Sequence, residues 1–220
     1  MSSSSLYYQG ARKEVARFLP EQYSRVLEVG CGEGGFHVNL KPGCEHWGIE
    51  PNHGAADIAR HRLFGVIEKS YHEAFDQLPD NYFDLVICND VVEHMVKPED
   101  FFRTIKQKLA SNACLVGSIP NVRFIGNLFE LLFLKDWKYK DEGVLDRTHL
   151  RFFTDKSIRR VLDENGFVIE EYAGINGVEF GVLPLRLMLK NVCILLLGDD
   201  TRYLQFAFRI SLNGTLGGSR

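Results

Sequence analysis

Asp90, Glu93 and His94 stand three and four residues apart, and His149 follows in the polar stretch Asp146-Arg147-Thr148-His149-Leu150-Arg151. On a helix, positions i, i+3 and i+4 share one face, so the first three converge if the chain turns helical after Asn89. Carboxylates and imidazoles in such a group can hold a magnesium or manganese ion. Imidazoles can equally accept a proton near neutral pH. Either chemistry suits a hydroxyl, which must shed its proton during attack. Three readings stay open: a metal set of Asp90, Glu93 and His94; metal-free catalysis or positioning by His94 and His149, the preferred one; and a structural role.

A second feature binds rather than reacts. Val26-Leu27-Glu28-Val29 is a short apolar run that ends in Gly30-Cys31-Gly32-Glu33-Gly34-Gly35. The run reads as a buried strand, and the glycines let the backbone turn and approach a ligand that a Cβ would exclude. A glycine-rich turn without a ligand is the bland alternative. Glu50 lies twenty positions after Gly30, at the end of a strand His46–Glu50. That spacing suits a carboxylate that accepts from a ribose diol, with capping of the next helix as the alternative. Ser70 and Tyr71 follow a third strand, Gly65–Glu68, at a place that suits an adenine.

The elements that must position these groups alternate. A helix within Leu6–Leu19, carrying Tyr7, Tyr8 and Arg12, precedes the first strand. These three either close over a ligand or, as preferred, pack and face solvent. Helices are expected at Phe36–Leu40 and Ala55–Leu63. Asp84–Asn89 is a strand that delivers Asn89-Asp90. Pro98 opens a helix whose buried stripe is Phe101, Phe102, Ile105 and Leu109. Ala113–Ile119 is the fifth strand. Phe124–Leu134 is apolar and helical in pattern, Thr154 caps a helix that ends at Asn165-Gly166, and Phe167–Tyr172 is the sixth strand. Leu183–Leu197 reads as a broken helix and Tyr203–Ser211 as a final strand. The order predicts a doubly wound, mostly parallel seven-stranded α/β sheet with an antiparallel edge strand, ligands lying at the carboxyl ends of the strands. One domain over 1–220 is expected, with residues 122–153 as an inserted lid.

Composition narrows the partners. The 220 residues carry a formal net charge of -3, with 45% hydrophobic and 25% charged residues, ordinary for a globular chain. The acidic balance argues against a nucleic-acid partner. The five cysteines show no Cys-x-x-Cys spacing, so neither a disulfide framework nor a zinc site is indicated. Residues 1–5 lack a signal-peptide pattern, and Pro184, Arg186, Lys190 and Asn191 interrupt the apolar stretch 181–198. A cytoplasmic protein is expected. The segment Leu183–Leu197 is expected to cover the end of the sheet or a homodimer partner, the preferred reading, or to touch a membrane surface peripherally.

Together these motifs resemble the class I S-adenosylmethionine-dependent methyltransferases. Val26-Leu27-Glu28-Val29-Gly30-Cys31-Gly32 is similar to their first motif, Asp84–His94 to their strand-four motif, and Ser118-Ile119-Pro120-Asn121 to the end of strand five. The resemblance implies a Rossmann-like fold and S-adenosyl-L-methionine as cofactor. It implies that Gly30, Cys31 and Gly32 pass the methionine part, that Glu28 supports the loop, that Glu50 takes the ribose, that Ser70 and Tyr71 flank the adenine, and that Asn89 faces the sulfonium. Asp90-x-x-Glu93-His94 resembles the metal motif of ubiquinone-biosynthesis O-methyltransferases and of small-RNA terminal 2′-O-methyltransferases, which usually carry glutamate at the position of Asp90. In the latter a second histidine before an aromatic-rich segment completes the site, and the resemblance implies that role for His149, which precedes Leu150-Arg151-Phe152-Phe153. The stretch Asp146–Thr154 looks like one in methyltransferases of surface-glycan biosynthesis.

The resulting expectation is O-methylation of a sugar, nucleotide sugar or glycan-precursor hydroxyl. Trp137, Tyr139, Phe152 and Phe153 would stack on the ring, and Arg147 and Arg151 would hold an anionic group. Methylation of a quinone-precursor phenol is the alternative, and a non-catalytic cofactor-binding protein a more distant one.

Overall fold

The computed structural model describes residues 11–178, 192 and 194–212. Seven strands form one sheet: β1 Arg25–Val29, β2 Glu45–Ile49, β3 Gly65–Ile67, β4 Phe83–Asn89, β5 Leu109–Pro120, β6 Phe167–Gly177 and β7 Tyr203–Leu212. Their order is β3-β2-β1-β4-β5-β7-β6. β1 to β5 run parallel, and β7 runs antiparallel to both β5 and β6. The expected reversal therefore falls on β7, one place in from the edge, and makes an antiparallel edge pair with β6.

The helices are short: α1 Lys13–Ala16, α2 His53–Ala59, α3 Tyr71–Ala74, α4 Pro98–Thr104, α5 Ile125–Phe129 and α6 Asp155–Glu164. The expected helix at Phe36–Leu40 is a 3-10 turn over Gly35–Asn39. The longer helix within Leu6–Leu19 is represented among the described residues by α1 alone. Of the expected broken helix, positions 183–191 and Cys193 lie outside the described residues, as do Tyr7 and Tyr8.

Period-two alternation sends successive side chains to opposite faces, and both faces are dry. Leu27, Val86 and Cys88 join Phe101, Phe102, Ile158 and Leu162 of α4 and α6 on one face. Val26, Leu85 and Ile87 join Val15, Phe18 and Phe36 on the other. This explains why the central strands are apolar throughout. Local chemistry sets the helix ends. Pro98 occupies the first turn of α4 with Glu99 and Asp100 at its positive end. Thr154 Oγ1 accepts from Ser157 N at 3.2 Å to cap α6, and Gly166 at φ +73° follows its end.

The stretch 122–153 leaves the sheet and returns to it at one neck, where Val122 N donates to Phe153 O at 2.8 Å. Within it α5 widens into a π turn over Glu130–Leu134, which exposes Leu131, Leu132, Phe133 and Leu134. Among the described residues no helix is long and apolar enough to cross a membrane.

Candidate active site

The glycine loop leaves β1 under two restraints. Gly30 N and Cys31 N both donate to Ile49 O, at 2.8 and 3.1 Å. Gly30, Gly32 and Gly34 all have positive φ, where L side chains are strained. At Gly30 a Cβ would come 2.5 Å from Val91 Cγ2, so the loop abuts the end of β4 with no room for a side chain. Glu50 braces the loop from β2. Its Oε2 accepts from Gly32 N at 2.9 Å and its Oε1 from Asn52 N at 2.8 Å. Asn52, not Glu50, caps α2, through Ala55 N at 3.0 Å. Burial raises the Glu50 pKa despite these bonds.

Beneath the loop, Glu28 is buried with its Oε2 3.1 Å from His46 Nε2, an ion-pair distance off the hydrogen-bond axis. Burial pushes its pKa up as well. His46 Nδ1 meets His37 Nδ1 at 3.2 Å. Burial, then Glu28, holds the Cys31 thiol protonated, and Cys31 packs with Ala59 and Leu63. Asn89 supplies the unexplained polarity, since its amide nitrogen and oxygen are both buried without a partner. Such an amide has one donor and one acceptor site ready for an incoming group.

The expected adenine residues have other engagements. Ser70 closes a capping box with Glu73 on α3, its Oγ donating to Oε2 at 2.6 Å. The Tyr71 hydroxyl meets Thr104 Oγ1 at 3.0 Å, and its ring packs edge-on against Phe101 at 4.9 Å. The Tyr71 side chain thus serves the packing of α3 on α4.

Beyond β4 the expected helix does not form. Asp90 takes φ +52° and Val91 φ −125°, which break helical propagation, and only a 3-10 turn over Val92–His94 follows. Asp90 therefore stands apart from the metal group expected of it. Its carboxylate accepts from Arg12 Nη1 at 2.5 Å, Ser118 Oγ at 2.8 Å and Gln205 Nε2 at 2.5 Å. The other three candidates do converge. One ligand atom from each of Glu93, His94 and His149 lies within 4.8 Å of the others.

The imidazoles are oriented. His149 Nδ1 lies 3.0 Å from Val144 O. A carbonyl only accepts, so Nδ1 carries a proton, and Nε2 lies 3.8 Å from Glu93 Oε1. His94 stands edge-on to His149 at 4.7 Å, its Nδ1 3.2 Å from Thr148 O. Burial, then His149, lowers the His94 pKa, so this ring is a neutral acceptor at pH 7. Glu93 is 1% exposed and neither oxygen has a hydrogen-bond partner. Burial first, and the Asp90 carboxylate second, raise its pKa well above the ordinary value. Asp146 stiffens the loop by accepting from Thr148 N at 2.7 Å and Thr148 Oγ1 at 2.6 Å. A cavity of about 110 Å³ opens here, bordered by Asp90, Glu93, Asp146, His149 and Gln205.

The aromatic residues of the 122–153 stretch divide. Phe153 belongs to the main core, which withdraws it from ring stacking. Trp137 and Tyr139 pack around Phe152 at 5.5 and 6.5 Å. Arg147 pairs with Asp141 at 2.8 Å, and Arg151 donates to the carbonyls of Val96 and Leu150. Asp146 and Gln205 are site residues that sequence reasoning missed. Gln205 was marked only by being the one amide in the apolar run Tyr203–Phe208.

A family model described as a methyltransferase domain matches residues 5–172. Among relatives, the mitochondrial ubiquinone biosynthesis O-methyltransferase of Schizosaccharomyces pombe is 24% identical over 159 residues, 69% of this chain and 57% of that protein. The Mus musculus protein of the same name is 27% identical over 164 residues, 69% of this chain and 43% of that one. The chain thus spans about half the length of these relatives. Among solved structures, a SAM-dependent methyltransferase from Archaeoglobus fulgidus superposes with a TM-score of 0.63 at 20% identity, covering 95% of this chain and 94% of that one. A possible histamine N-methyltransferase from Thermotoga maritima gives 0.61 at 20% identity, covering 94% and 89%. At that identity the two structures speak for the fold.

Proposed function

The chain belongs to the methyltransferase-domain family of S-adenosylmethionine-dependent enzymes, and on that premise we propose that it transfers the methyl group to a hydroxyl. The observation that carries this reading is the convergence of two oriented imidazoles, His94 and His149, on the unpartnered carboxyl group of Glu93, with Glu93 and His149 bordering one small cavity. The relatives named as O-methyltransferases support the same atom as acceptor.

When bound, S-adenosylmethionine supplies an electrophilic methyl group on a positive sulfur. The residues fit it. Gly30 and Gly32, both at positive φ, turn the loop back along the place proposed for its methionine part. Glu50 faces the ribose while bracing the loop, and the orphaned Asn89 amide supplies a donor and an acceptor beside the sulfonium. Glu28 supports the loop from below, Cys31 passes the ligand through its backbone, and Ser70 borders the adenine. His149 Nε2 would take the proton of the acceptor hydroxyl as the O–C bond forms and the methyl–sulfur bond breaks, with S-adenosylhomocysteine as the leaving group. His94 holds the acceptor oxygen, and Glu93, kept neutral, hydrogen-bonds to it without adding negative charge. Alignment of oxygen, methyl and sulfur contributes much of the remaining acceleration.

The acceptor proposed first is a sugar, nucleotide sugar or glycan-precursor hydroxyl, since the cavity is bordered by carboxylates, an amide and an imidazole. A quinone-precursor phenol is the second reading, favoured by the names of the relatives. A second mode is likewise favoured by the geometry of Glu93, His94 and His149. These three would hold a magnesium or manganese ion, which would lower the hydroxyl pKa. One screen separates these readings: release of S-adenosylhomocysteine from nucleotide sugars, glycan fragments and catechol-type phenols, with and without EDTA. Turnover of a sugar that survives EDTA is expected. Turnover of phenols alone would reverse the order of acceptors, and abolition by EDTA would replace the base by the metal.

A further inference from the structure

Two of the non-glycine residues with left-handed backbone next to the site are paired with each other. Arg12 has φ +45° and Asp90 φ +52°. Such strain persists only where surrounding contacts over-determine it, and it gathers at functional sites. The contacts here are dense. Arg12 Nη1 donates to Asp90 Oδ2, Nη2 donates to Ser118 Oγ at 3.0 Å, and Nε donates to Glu14 at 2.7 Å. Gln205 Nε2 donates to Asp90 Oδ2, and Asn176 Nδ2 donates to Gln205 Oε1 at 2.7 Å. One carboxylate therefore ties together the chain before α1 and the strands β4, β5 and β7.

The neighbouring residue, Ala11, is tied to the segment that follows the glycine loop. Asn39, which closes the 3-10 turn after the glycine loop, donates through its side-chain amide to Ala11 O. Residues 11–12 thus form a strap. One end is fastened behind the glycine loop, and the other to the residue that follows the orphaned Asn89 and borders the acceptor cavity with Gln205.

We propose that Arg12 is a positioning residue: by gripping Asp90 it fastens this strap between the glycine loop and the acceptor cavity and slows the escape of bound cofactor. This rests on the assignment of the glycine loop to S-adenosylmethionine. The Arg12 side chain itself, engaged by Asp90, Ser118 and Glu14, does not touch the reacting atoms. Arginine suits the task because its fixed fork serves the carboxylate and the Ser118 hydroxyl at once, which a lysine ammonium does less well. A partly buried ion pair also loses more when one partner is removed than when both are, because the survivor is left uncompensated.

The test is stopped-flow binding of S-adenosylhomocysteine to the full chain and to Arg12→Gln, Arg12→Lys, Asp90→Asn and the double variant Arg12→Gln/Asp90→Asn, each first checked for folding by circular dichroism. For Arg12→Gln the dissociation rate should rise about tenfold while the association rate stays within about twofold. A merely structural loss would not produce that split. Arg12→Lys should recover most of the slow dissociation. The double variant should dissociate no faster than Arg12→Gln alone, since the two residues act as one unit. If Arg12→Gln does not fold, Arg12→Lys and Asp90→Asn carry the test, with dissociation faster in Asp90→Asn than in Arg12→Lys. Dissociation unchanged in every folded variant, or effects of the two sites that simply add, would overturn the strap. Failure of the unmodified protein to bind S-adenosylhomocysteine would instead remove the cofactor assignment beneath it.

Discussion

Replacing Glu93 by glutamine should stabilise the fold at neutral and alkaline pH while harming catalysis. Glu93 is 1% exposed, and neither oxygen is hydrogen-bonded. Its pKa is raised well above the ordinary value by burial and by the Asp90 carboxylate. In the unfolded chain the same group ionises near the usual glutamate value. Above that pH the folded state binds the extra proton, so stability falls as pH rises until the folded-state pKa is passed. One proton corresponds to at most about 1.4 kcal/mol per pH unit. For a chain of this size about 1 kcal/mol moves the melting temperature by roughly 2–4 °C, so the limit is roughly 3–6 °C per pH unit.

Glutamine keeps the shape and cannot ionise. Thermal unfolding of Glu93→Gln and the unmodified chain, in EDTA from pH 4 to 8.5, reads the effect directly. The two should differ little below pH 4.5, and the variant should gain steadily above it. Glu28 and Glu50, whose pKa values are also raised, contribute equally to both proteins and drop out of the difference. A difference that stays flat with pH, or grows toward acid, would refute the neutral buried carboxyl.

Three further outcomes follow from the same geometry. Gly30→Ala forces a methyl group into the left-handed region, about 1–2 kcal/mol, and toward Val91. Calorimetry should show S-adenosylhomocysteine affinity weakened at least about tenfold, and retained affinity would move the cofactor off this loop. Tyr71→Phe should leave that affinity within about twofold while removing about 1 kcal/mol of stability with its hydrogen bond to Thr104, as read by urea unfolding. Partial burial would raise the Asp84 pKa, but bonds from Arg25 and Ser24 bring it down to about 2. The stabilisation it lends is present above its usual range and lost as pH falls from about 4 toward 2. Because the group is only partly buried and its ion pair with Arg25 is reached by solvent, acid unfolding of Asp84→Asn should differ from the parent by only about 1 kcal/mol.

Local pattern carried much of the fold. The apolar runs of β1 and β4 are continuous because both faces of the sheet are covered, and the signals at Pro98, Thr154 and Gly166 act within a turn of their own positions. The site was legible where chemistry and location coincide: Glu93, His94 and His149 are rare residue types for a buried pocket, and they meet. Asp90 was not legible, because partners 78, 28 and 115 positions away decide its role. Its left-handed backbone also removes the helix that the i, i+3, i+4 spacing presupposes. The packing of Tyr71 was not legible either, as its partner Thr104 lies on α4 and no local signal pairs them. β5 begins at Leu109, ahead of the expected Ala113, where Phe83 and Leu85 mark a shift of register with β4. Long-range pairing, not propensity, sets that boundary.

The most direct test of hydroxyl methylation at this cavity is the turnover of His149→Ala with an acceptor found by the screen, alongside its affinity for S-adenosylhomocysteine. With Nε2 gone and the glycine loop untouched, kcat should fall at least about a hundredfold while cofactor affinity stays within about threefold, and the product should carry its new methyl on oxygen. Undiminished turnover in His149→Ala, or a methyl group on nitrogen or carbon, would contradict the account.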